Sequence, residues 1–108
     1  MTQFDDRERA YEAKFAHDEE MNFRMIARRN RLLGEWAARK MGLSEEETAS
    51  YAKDVVRADF EEAGDDDVIR KLMGDLTNAG VEIDDAQIRE AIGNKTVEAR
   101  RQIIQEQS

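Results

Sequence analysis

The residues best suited to chemistry are Arg28-Arg29-Asn30-Arg31, the densest cationic cluster in the chain. Guanidinium forks bind phosphate and carboxylate oxygens two at a time, so the cluster is a candidate anion site. The alternative is a solvated face paired with acidic residues of neighbouring helices. His17 is the only histidine and has no glutamate three residues before it, which removes the helical di-metal pattern and leaves a surface residue. Asp59, Glu61 and Gly64 fall at positions 1, 3 and 6 of a calcium loop, but Ala63 and Arg70 stand where further oxygen ligands belong. Asp65-Asp66-Asp67 therefore reads as a helix start rather than an ion site, and no metal site is expected. Glycine-rich phosphate loops are absent. Cysteine is absent too, and no serine has a histidine near it in sequence, so nucleophilic catalysis has little to work with. No catalytic residue is expected. Trp36 reads as core rather than as a stacking platform.

Charge narrows the partners. Residues 1–41 hold nine Lys/Arg against eight Asp/Glu, and residues 42–108 hold eight against seventeen, for a total of −8. So acidic a chain repels a phosphate backbone, and no nucleic acid is expected. No run approaches the ~20 apolar residues of a membrane span, so no direct membrane insertion is expected. The acidic N-terminus has no apolar core of a signal peptide. Lack of cysteine fits a reducing compartment, and the expected location is the cytoplasm.

The elements that must position these residues are helical. Proline is absent and glycine is rare, so long helices are permitted. Only Val81-Glu82-Ile83 alternates as a strand would. Phe23, Ile26, Ala27, Leu33, Ala37 and Met41 share one helical face, which Met25, Leu32 and Trp36 widen, predicting a helix over about 18–41 capped by Gly42. Ser44-Glu45-Glu46-Glu47 is a capping box opening a second helix over 45–62, with Ala49, Ala52, Val55, Val56 and Phe60 inward and a stop near Gly64. Asp65 or Asp66 caps a third, 66–79, carrying Val68, Ile69, Leu72, Met73 and Leu76 and ended by Gly80. Asp84-Asp85-Ala86-Gln87 opens a fourth, 85–106, with Ile88, Ala91, Ile92, Ala99 and Ile103; Gly93 weakens it by ~1 kcal/mol. Four amphipathic helices with short loops predict an all-α fold, an antiparallel four-helix bundle over 18–108.

Residues 1–17 differ. Phe4, Tyr11 and Phe15 are the large apolar groups among seven charges, spaced to align on one helical face. That gives little to bury alone, so the segment is expected to be mobile and to become helical against a partner.

The run Phe4-Asp5-Asp6-Arg7-Glu8-Arg9-Ala10 with Glu12-Ala13-Lys14-Phe15-Ala16-His17-Asp18 resembles the N-terminus of the zeta subunit of the alphaproteobacterial F-type ATP synthase. The resemblance continues through Ala27-Arg28-Arg29-Asn30-Arg31-Leu32-Leu33-Gly34-Glu35-Trp36-Ala37-Ala38, returns at Asp66-Asp67-Val68 with Arg70-Lys71-Leu72, and fades in the last helix. It implies an inhibitor of ATP hydrolysis whose N-terminal segment inserts at a catalytic interface of the head, among the alpha, beta and gamma subunits. Phe4, Tyr11 and Phe15 would then be apolar anchors, and Asp5, Asp6, Arg7, Glu8, Arg9, Glu12 and Lys14 would set register by charge. It also implies ADP or ATP as a regulatory ligand of the bundle, with no cofactor required; Arg28, Arg29 and Arg31, with Lys71 from the third helix, are the residues expected to meet phosphates. Bound to the synthase, the chain would lie peripheral to the inner membrane. Nothing demands a dimer, so the free chain is expected to be a monomer. Two other readings stand beside this one: a helical-bundle adaptor for another cytoplasmic partner, and a nucleotide-sensing protein.

Overall fold

Local capping fixes where the helices begin and end. Ser44 and Glu47 exchange hydrogen bonds as a capping box: the Glu47 N–H donates to Ser44 Oγ at 3.2 Å, and the Ser44 N–H donates to Glu47 Oε1 at 3.1 Å. The bonds from Ser44 hold the Glu47 carboxyl below its ordinary range. Asp84 and Gln87 form the same reciprocal pair at 2.8 and 3.0 Å. At the other ends, Gly42 (φ 74°) and Gly80 (φ 81°) take the left-handed conformation. Each is followed by a residue whose N–H turns back into the helix, Leu43 to the Ala38 carbonyl and Val81 to the Leu76 carbonyl, both at 3.0 Å.

The computed structural model describes the backbone of residues 3–58 and 65–106, and the side chains of 19–58 and 65–106. Four helices follow in order: α1 (Gln3–Lys40), α2 (Glu45–Ala58), α3 (Asp66–Asn78) and α4 (Asp85–Glu106). Among the described residues there is no strand. The fold is the all-α four-helix arrangement that the sequence predicts. The helical backbone of α1 begins at Gln3, well before the start expected near residue 18. No glycine or proline precedes Gly34 to interrupt it. The expected anchors Phe4, Tyr11 and Phe15, the charges between them and His17 lie outside the described side chains. Residues 59–62 of the second helix, with Phe60, and the calcium-loop residues Asp59, Glu61 and Gly64 lie outside the described residues altogether.

α1 packs against each of the other three helices, and α3 also meets α2 and α4. Among the described residues α2 and α4 do not meet, so they flank α1 from either side. The core runs through Leu33, Ala37, Val55, Val68, Ile69, Leu72, Leu76, Ile88, Ala91 and Ile92. Val81 and Ile83, whose alternation suggested a strand, instead pack as loop residues against this core. α1 and α2 cross closely at Gly34, where an added Cβ would lie 2.6 Å from the Ala52 Cα. Only a missing side chain permits that approach.

Two expected inward residues face out. Ala49 is exposed, because the fully buried stripe of α2 is confined to Ala52 and Val55. Phe23 is 55% exposed and lines a recess with Val56 and Ile103. Asp65 occupies the cap position of α3 but makes no capping hydrogen bond; its carboxylate is drawn instead to Arg29.

Candidate functional site

Successive residues on a helix are turned by about 100°, so the Arg28–Arg31 cluster cannot act as one unit. Arg28 reaches α4. Its Nη1 donates to Gln102 Oε1 at 2.8 Å, and its Nη2 meets Glu106 Oε1 at 2.7 Å. Arg24, one turn earlier, lies 3.8 Å from the same carboxylate. Arg31 is half exposed and faces Glu35 at 3.7 Å, a separation that contributes little in water.

Arg29 turns inward. Its Nε and Nη2 donate to the side-chain Oδ1 of Asn30 at 3.1 and 3.0 Å, and Nη2 also reaches Asp65 Oδ1 at 2.9 Å. Asn30 is fully buried, and its Nδ2 has no hydrogen-bond partner among the described residues. This group ties α1 to the start of α3.

Lys71 sits elsewhere. Its Nζ lies 3.1 Å from Asp75 and 5.2 Å from the centre of the Tyr51 ring. Tyr51 in turn donates to the same Asp75 at 2.7 Å, joining α2 to α3. Burial, reinforced by the Asp75 carboxylate, raises the Tyr51 phenol far above its ordinary value, so it stays a protonated donor.

The structure thus divides the four expected phosphate ligands. Arg28 and Arg31 share a recess of about 310 Å³ with Phe23, Arg24, Ala27, Val56 and Ile103. Lys71 lines a second recess, about 410 Å³, with Asp54, Arg57, Ala58, Asp67 and Arg70. Arg29 lines neither. The first recess is lined by three guanidinium groups, which also face Glu106 and Glu35, and by the apolar side chains of Phe23, Ala27, Val56 and Ile103. Trp36 packs against the core with Lys40 5.3 Å above its ring, as its core reading anticipated. Among the described residues no three His, Cys, Asp or Glu side chains are grouped to hold a metal ion. No helix among them is long and apolar enough to cross a membrane.

Sequence reasoning missed Gln102 and Glu106. They stand one turn apart on α4, a spacing that marks a common face, but only the packing of α4 beside α1 aims them at Arg28. Asn30 falls on the apolar face of α1, four residues after Ile26 and three before Leu33, so its spacing signals burial, but its polar side chain reads as part of the basic cluster.

The model of the family described as ATPase inhibitor subunit zeta matches residues 1–102. A protein whose structure was solved by solution NMR is 42% identical and superposes with a TM-score of 0.71, the match covering 80% of this chain and 98% of that one. No curated protein matches.

Proposed function

We infer that this chain, which belongs to the ATPase inhibitor subunit zeta family, holds back ATP hydrolysis by an F-type ATP synthase through its N-terminal segment. The observation that carries the reading is the reach of the family match, which takes in residue 1 and so includes the segment as well as the bundle. Residues 1–17 insert at a catalytic interface of the head, among the alpha, beta and gamma subunits, which must change shape during rotation. Phe4, Tyr11 and Phe15 fill apolar pockets there, and Asp5, Asp6, Arg7, Glu8, Arg9, Glu12 and Lys14 fix the register. The bundle stays outside and keeps the segment at high local concentration. The chain works without a cofactor and, when bound, lies peripheral to the membrane. Titrating the full chain into a purified synthase head stripped of its own zeta subunit tests this. ATP hydrolysis is expected to fall to a low plateau; undiminished hydrolysis at saturating chain would overturn the reading.

An adenine nucleotide is the second ligand. The recess at Arg28 and Arg31 favours it, because guanidinium groups stand over the apolar surface of Ala27, Val56 and Ile103, which can receive a base. Replacing Arg28 and Arg31 together by alanine is expected to abolish ADP-induced amide shifts in NMR spectra. Shifts that survive that replacement but vanish with Lys71→Ala would move the site to the other recess.

A further inference from the structure

Val97 and Ile104 on α4 and Phe23 on α1 are large apolar residues more than half exposed. Ile104 belongs to a groove of about 260 Å³ along the seam of α1 and α4. Met21, Asn22 and Met25 line it from one side, and Arg100, Ile103 and Ile104 from the other. Its walls are almost wholly apolar. A groove lined this way can receive an apolar side chain. Methionine suits it, because an unbranched thioether reshapes around an incoming group.

The charge beside the groove is the second observation. Arg100 lines it and Arg101 follows on the same helix, both exposed. Among the described residues neither has an acidic partner: Glu98 is held by Lys95 at 3.1 Å, and Glu106 by Arg28 and Arg24. Two uncompensated arginines are notable in a chain of net charge −8.

We propose that the α1/α4 seam is where the bundle docks on the synthase head, taking up an apolar side chain of an acidic segment whose carboxylates meet Arg100 and Arg101. This rests on reading the chain as an inhibitor of that head. A second copy of the chain is a poor occupant, since a two-fold pairing of α4 faces would set Arg100 and Arg101 against their own counterparts. An anionic bilayer is disfavoured by the net charge, and a concave groove does not insert into lipid. Apolar and arginine contacts together are what the centre of a protein interface selects.

The test measures the concentration of full-length chain giving half-maximal inhibition of the stripped head. Ile104→Glu and the pair Arg100→Glu with Arg101→Glu are each expected to raise it at least about tenfold. Thr77→Glu, on α3 and away from the groove, is expected to leave it within about twofold. Thermal melts of all variants should agree with the wild type, since every changed side chain is exposed. An unshifted midpoint in both charge variants overturns the docking surface while the inhibitor reading stands. No inhibition by the wild-type chain overturns both. A wild-type dimer in sedimentation that Ile104→Glu converts to monomer would assign the groove to a second copy. Binding to phosphatidylserine vesicles that the same substitution abolishes would assign it to lipid. Either result overturns the proposal.

Discussion

Removing residues 1–15 is expected to abolish inhibition of ATP hydrolysis and leave the bundle folded. The two halves of that expectation have separate causes. Every buried apolar residue described lies between Leu32 and Ile103, and the tie from Arg28 to Gln102 and Glu106 lies beyond the cut. Helical circular dichroism should fall only by the share of the missing residues, and Tm should move by no more than a few degrees. The proposed inhibitory contacts, by contrast, leave entirely. Phe4, Tyr11 and Phe15 are the aromatic groups of the segment, and aromatic anchors cost about 2 kcal/mol or more each when truncated. Even with strong non-additivity their joint loss lowers affinity on the order of a thousandfold. Steady-state hydrolysis by the stripped head, with full and shortened chains in parallel, reads the difference. Full inhibition by the shortened chain would transfer the activity to the bundle.

Arg29→Ala is expected to destabilise the bundle by about 3 kcal/mol, whereas Arg31→Ala changes stability by less than about 0.5 kcal/mol. The two arginines are neighbours in sequence and opposites in setting. Arg31 is half exposed beside a distant carboxylate. Arg29 is 8% exposed and supplies both hydrogen bonds received by the Asn30 Oδ1, inside a core where Asn30 is wholly buried. Since Asp65 is itself partly exposed, its ion pair with Arg29 is a minor part of the loss. The larger part is the buried Asn30 amide oxygen left without its donors, beside a nitrogen that has no partner among the described residues even with Arg29 in place. For a domain of this size the Tm of the Arg29 variant should drop by roughly 10–20 °C. Equal melting of the two variants would show that Asn30 finds other partners once Arg29 is gone.

The helix starts and stops were legible because they are local. Ser44 and Glu47, or Asp84 and Gln87, need only three residues of separation to satisfy each other, and Gly42 and Gly80 need only a backbone preference. Apolar spacing likewise predicted Leu33, Val55, Leu72, Leu76 and Ile88 as core. What could not be read was which neighbour each helix face would meet. Arg28, Arg29 and Arg31 look alike as text, yet α4 claims the first, Asp65 the second and solvent the third. Lys71 looked available for the same ligand and is held by Asp75 at a separate recess. Phe23 fits the inward periodicity yet stays more than half exposed. Asp65 had the chemistry of a cap and was diverted by a partner 36 residues away. Each of these depends on tertiary packing, which one helix's pattern does not contain.

The ion pair of Glu106 with Arg28 sets the end of α4 beside the half of α1 that leads to the proposed inhibitory segment. The Gly42 and Gly80 turns sit at the other pole, where Trp36 and Lys40 meet Ile83 and Gln87. On the proposed function the molecule therefore has a working pole and a quiet one. A C-terminal affinity tag or fluorescent fusion would crowd the working pole and could mimic a loss of function, whereas a dye or surface tether placed at either glycine turn would leave it unobstructed.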